Sequence, residues 1–188
     1  MKPNMSLAEI LNETDAIIAD VQSAFGQLNA EQLNWKPNAE AWSVAQCLDH
    51  LIVINGPMLA PFDQLVSGTK PTRFMERLPF WPGMWGGVMI KMLQPEATKK
   101  LKSPPTVVPS SSKLDPSIIN RFVTHQQELK QKLRAVENLN PENVIMTSPF
   151  AGFITYSLLD AARIVIVHER RHVEQAKRVM AAEGFPQS

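Results

Sequence analysis

One cysteine in 188 residues closes off several classes of protein at once. Neither an intrachain disulfide framework nor a cysteine-rich zinc site can be built from Cys47 alone, and the count is compatible with a reducing cytoplasm. Charge of one sign is also missing. With 19 basic and 18 acidic residues the net charge is +1, which gives no electrostatic reason for nucleic acid or an anionic membrane as the main partner. No apolar run approaches the ~20 residues of a membrane span. The start, Met1-Lys2-Pro3-Asn4-Met5-Ser6, leads into an acidic amphipathic segment where a signal peptide would have an apolar core. No internal repeat and no clear strand stands out. The expectation is a single soluble, cytoplasmic domain over residues 1–188, long enough to bury a full core.

Helical periodicity is what the chain has. A first helix opens at Ser6, with Glu9 as reciprocal cap, and carries Leu7, Ile10, Leu11, Ile17, Ile18, Val21 and Phe25 inward to an end near Leu28. A second starts at Ser43 with Gln46 as partner. Its stripe is Val44, Cys47, Leu48, Leu51, Met58 and Phe62, and Pro57 and Pro61 should kink or end it. Asp115 at N-cap and Pro116 at the first helical position announce a third, which runs through Ile118, Phe122, Leu129, Leu133 and Val136 to a stop at Asn140-Pro141. The fourth runs from about Thr155 to about Ala182, with Gly184 beyond it.

Residues 67–113 are rich in proline and hold Phe80, Trp81 and Trp85. They are too many for a bundle turn, so they read as a crossover, with a short helix at Gly86–Leu93 and a mobile loop at Ser103–Ser112. The predicted fold is all-α, a four-helix bundle with one long crossover between helices two and three.

Histidine is scarce as well, at four, and two of the four fall four residues apart in Val167-His168-Glu169-Arg170-Arg171-His172. That spacing puts both imidazoles on one helical face, the way a helix offers two nitrogens to one metal ion. His50 lies on the inward side of the second helix, while His168 and His172 continue the inward series Ala161, Val165, Gln175 and Val179. A lone histidine on such a face is more often a hydrogen-bonded core residue. Three on facing stripes are costly unless they share a partner, and a divalent ion such as Zn²⁺ or Ni²⁺ would satisfy all three.

Two stretches carry a family resemblance. Glu31-Gln32-Leu33-Asn34-Trp35-Lys36-Pro37 followed by Ala41-Trp42-Ser43-Val44-Ala45-Gln46-Cys47-Leu48-Asp49-His50-Leu51, and the later His168-Glu169-Arg170-Arg171-His172-Val173-Glu174-Gln175, closely resemble the two motifs of the DinB-like metal-binding family. The resemblance spans most of Leu11 to Met180, with 67–113 matching only as a variable insert. It implies a four-helix bundle in which His50, His168 and His172 bind one divalent metal, often nickel or zinc, usually in a homodimer. It also implies a small-molecule substrate and one of two chemistries, a metal-dependent hydrolase or an S-transferase using a low-molecular-weight thiol as cosubstrate. The alternative is a non-catalytic metal-binding or dimeric interaction protein on the same scaffold. Chemistry transfers less well than the site, because function belongs to the pocket lining.

Other residues carry two readings each. His125 is a proton carrier or a core or surface histidine; Cys47 is a buried small hydrophobe before it is a ligand. Gln175 either orients a ligand or caps a helix contact, and Gln46 serves its helix start. Glu169 and Asp49 adjoin ligands in sequence but point about 100° away, toward solvent or toward supporting the ligands. Trp81, Met84 and Trp85 line a pocket or cover the bundle's end. Arg163, Arg170 and Arg171 bind an anionic substrate or pair at the surface. Ile52, Val53, Ile119 and Ile166 lie off the main stripes and would suit a dimer face.

Overall fold

Long helices form where apolar periodicity is sustained, and three of them start at side chains that satisfy free N–H groups. The computed structural model describes residues 4–78, 81–95, 109 and 113–187, with 81–84 described by backbone alone. In α1 (Leu7–Phe25) Ser6 Oγ accepts from Glu9 N–H at 3.3 Å while Glu9 Oε2 accepts from Ser6 N–H at 2.8 Å. A short α2 (Ala30–Asn34), capped by Asn29 and Gln32 in the same reciprocal way, occupies part of the stretch between the first two expected helices. Then α3 (Val44–Val66) starts at Ser43 with its Gln46 partner, both bonds 3.2 Å.

Pro57 and Pro61, expected to kink or end the helix, do not end α3, which runs through both. Each removes an N–H and costs the helix on the order of 3 kcal/mol. Pro57 is exposed and Pro61 half-buried, while Met58, Leu59 and Phe62 on the other side are buried, and their packing carries the helix through.

In the crossover α4 (Trp81–Leu93) includes the helix expected at Gly86–Leu93 and begins earlier. The loop expected at Ser103–Ser112 lies outside the described residues, save Pro109. α5 (Ile118–Ala135) begins two residues after the expected position. Asp115 Oδ1 accepts from Ser117 N–H at 2.9 Å and the Asp115 carbonyl from Ile118 N–H at 3.0 Å, so Asp115 holds a turn that leads into the helix. α6 (Leu158–Met180) opens at Ser157, whose Oγ accepts from Asp160 N–H at 3.0 Å.

The expectation of no strand is corrected. Ile145–Thr147 (β1) and Thr155–Ser157 (β2) form an antiparallel pair with Met146 opposite Tyr156. Three residues are too few to display a period of two, which is why the sequence hides them. The buried Tyr156 hydroxyl donates to Met58 Sδ at 3.5 Å and ties this hairpin to α3.

α1 and α3 each pack against both α5 and α6, so α1 lies diagonal to α3 and α5 diagonal to α6. The long helices meet in one apolar core that includes Ile10, Ile17, Phe25, Leu48, Leu51, Phe62, Phe122, Leu129, Val165 and Val173. Burying each such side chain is worth about 1.5–3 kcal/mol before the cost of ordering the chain. α4 lies along α6 and β2, and Gly86 permits the approach: a methyl group there would run into the Asp160 carboxylate. A charged seam joins α1 to α6, with Arg170 on Glu13 and Asp20 and Lys177 on Asp20 at 2.8 Å. Among the described residues no helix is long and apolar enough to cross a membrane.

Candidate metal centre

His50 sits two turns into α3, and His168 and His172 sit one turn apart midway along α6. Because α3 and α6 are packed neighbours, all three side chains reach one point: one ring nitrogen from each lies within 4.8 Å of the others. The Nε2 atoms of His168 and His172 are 3.0 Å apart, and the His50 ring centre is 4.7 Å from that of His172 and 5.3 Å from that of His168. Four-coordinate zinc with Zn–N of about 2.0–2.1 Å needs ligand nitrogens roughly 3.3 Å apart, so this set fits a divalent ion after small ring rotations.

The surroundings keep the rings uncharged. Burial, then neighbouring His172 and His50, then Arg171, hold the His168 imidazole well below its usual range. Burial and the proximity of His50 take His172 down to about 3. Both rings are therefore neutral, the form that binds a cation. Gln175, one turn on, favours the charged form of His172 but completes no hydrogen bond to its buried Nδ1. The Trp42 ring lies 5.5 Å from His172, nearly parallel at 21°, and 4.8 Å from His50 at 52°.

Among the described residues no carboxylate joins the cluster. Asp49 and Glu169 are both fully buried, so the solvent reading for them is corrected. Asp49 turns to α5, where Arg121 stands 3.7 Å away. Glu169 points into the bundle: Asn55 Nδ2 of α3 and Gln126 Nε2 of α5 both donate to its Oε1 at 2.7 Å. Burial pushes this carboxyl up to about 7 against the pull of the two amides. His168-Glu169-Arg170-Arg171-His172 spells the H-E-x-x-H string in which zinc peptidases use the glutamate as general base. Here the glutamate's hydrogen bonds go to the interior amides.

The remaining candidates separate cleanly. His125 is half-buried and lies outside the three-histidine cluster, in an open groove of about 370 Å³ with Ile52, Arg121 and Glu128. Burial pushes the Cys47 thiol up to about 12, an inert small hydrophobe. Arg163 is tied to Asp160 at 2.9 Å and Arg170 to the α1 seam, whereas Arg171 donates to the Gln94 carbonyl at 2.8 Å and lends its charge to the histidine cluster. The Trp85 ring is 6.1 Å from Phe153, over the hairpin; the side chains of Trp81 and Met84 lie outside the described residues. Sequence reasoning missed Trp42 as a neighbour of the rings and missed the Asn55–Glu169–Gln126 network. A signal for the network existed: Asn55 interrupts the inward series Leu51, Met58 and Phe62, and Gln126 interrupts Phe122, Leu129 and Leu133.

A four-helix bundle that gathers three imidazoles from two neighbouring helices defines a class of helical protein with a candidate metal centre. This chain belongs to the DinB superfamily, whose profile matches residues 13–176. It is similar to a Bacillus subtilis (strain 168) protein described as uncharacterized protein YuaE, at 26% identity over 152 residues, covering 81% of this chain and 85% of that one. No solved structure matches the chain significantly.

Proposed function

We propose that His50, His168 and His172 hold one divalent ion, nickel or zinc, and that the protein is a metal-dependent enzyme acting on a small molecule, as a hydrolase or a transferase of a low-molecular-weight thiol. The observation that carries this reading is the convergence of three ring nitrogens within 4.8 Å with no carboxylate among them. Three neutral ligands leave a coordination position for a fourth group and leave the ion's charge undiminished. An ion in such a site acts as a Lewis acid that favours deprotonation of water or of a thiol near neutral pH. The chain's own residues hold the ion, keep two of its ligands neutral by burial, and add positive charge from Arg171 nearby. A borrowed thiol would also supply the sulfur chemistry that buried Cys47 does not.

One observation favours a second reading, a non-catalytic metal-binding or interaction protein. The titratable groups nearest in sequence to the ligands, Asp49 and Glu169, turn to other helices, and His125 lies in a separate groove. The same proposal includes a homodimer. Ile166 and Ile119 are buried within the chain, which leaves half-buried Ile52 and Val53 on α3 to support that part.

Turnover separates the readings. Metal-free protein and His168→Ala should keep their helical circular dichroism and lose all activity against a panel of epoxides, activated aryl halides, esters and amides, with and without added thiols. Full activity without metal contradicts the enzyme mechanism, and silence of the metal-loaded protein across the panel moves the assignment to the binding protein.

A further inference from the structure

The sequence places Trp42 in the family-like stretch just before the Ser43 cap, and in the fold its ring touches a histidine from each of two helices. It lies nearly parallel to His172 of α6 and tilted against His50 of α3. Its backbone is fixed, because the next residue is the fully buried cap Ser43, whose N–H and Oγ are both engaged by Gln46 at 3.2 Å. The segment that leads to it is anchored at its far end, where Asn34 exchanges two hydrogen bonds with Leu114 and Trp35 packs edge-on against Phe185 at 5.5 Å. An imidazole has two free torsions, and both must be set before its nitrogen can serve as a ligand. An indole pressed against His50 and His172 at once restricts the torsions of both. The third ring, His168, is set by its own 3.0 Å contact with His172.

We propose that Trp42 is a positioning residue of the metal centre: it clamps His50 and His172 across the α3–α6 seam so that their nitrogens converge before an ion arrives. This rests on the tri-histidine reading above and adds a role outside the ligand set. Preorganisation of this kind raises affinity by lowering what must be ordered on binding. Its closeness to two ligands gives a direct spectroscopic consequence: an open-shell ion such as Ni²⁺ at the site quenches Trp42 emission, over the background of the chain's other three tryptophans.

The test uses metal-free full-length protein as wild type, Trp42→Phe and Trp42→Ala. Zn²⁺ affinity is read by competition with a chromophoric chelator, and indole emission is read during Ni²⁺ titration. Wild type should lose a step of emission complete at one equivalent of Ni²⁺. Trp42→Phe should bind Ni²⁺ with that step absent and with Zn²⁺ affinity near wild type, because a phenyl ring still stacks. Trp42→Ala should bind Zn²⁺ about ten-fold more weakly, as expected for losing two aromatic contacts. Unchanged Zn²⁺ affinity in Trp42→Ala, or an unchanged quenching step in Trp42→Phe, overturns the clamp alone. If Trp42→Ala does not fold, the Trp42→Phe quenching step decides. Wild type that takes up neither ion overturns the tri-histidine reading and the clamp with it.

Discussion

Burial drives the protonation of Cys47, His168 and His172 to one end: each is held in its neutral form, the thiol by a raised pKa and the imidazoles by lowered ones. For the histidines this is the form that could serve as ligands; for the cysteine it means inertness. The thiol titrates near 9.0 in the unfolded chain and at about 12 in the folded one. A raised folded pKa means that its contribution is fully present below 9 and is lost as pH rises through 12. Wild type should therefore lose on the order of 4 kcal/mol of stability over that range that Cys47→Ala does not lose. Denaturant unfolding at a series of alkaline pH values checks it, and parallel curves for the two proteins would show the thiol to be accessible to water. His168 and His172 stand out in the sequence because the i, i+4 spacing puts both on one helical face, and His50 because it lies on the inward side of its helix; the fold brings the three together. Trp42 does not stand out, since a stacking partner outside the helices has no periodicity to announce it.

Among the helices, three of the four long starts were legible to within a residue or two from cap chemistry at Ser6, Ser43 and Asp115, because caps are local. The fourth start shifted from Thr155 to Leu158 because Thr155–Ser157 pairs with Ile145–Thr147, a contact that no local pattern reveals. The run of α3 through two prolines is a tertiary effect of the same kind, set by Met58, Leu59 and Phe62. Between elements, the least legible feature is the Asn55–Glu169–Gln126 network, which joins α3, α5 and α6 on the bundle's inside. Gln126→Ala removes one of the two donors to a fully buried carboxyl. It should destabilise the fold by about 1–3 kcal/mol, measured by urea unfolding. A loss under about 0.5 kcal/mol would mean that water takes the amide's place and that the network does not fasten α5 to α6.

For the molecule as a whole, the long apolar stripes supply the core and the three imidazoles occupy one seam of it. Native mass spectrometry of protein purified without added metal reads both assembly and loading in one spectrum. It should show two chains of 21.0 kDa each with about one divalent ion per chain. A single-chain species across micromolar concentrations would remove the homodimer and leave the site untouched. The central claim rests on the ion count in four proteins: wild type, His50→Ala and His172→Ala, which each delete one of three converging nitrogens, and His125→Ala, which deletes an imidazole outside the cluster. The account predicts that the ion is lost from His50→Ala and His172→Ala and kept by wild type and His125→Ala. Undiminished metal in His172→Ala, or loss of metal from His125→Ala, would contradict it.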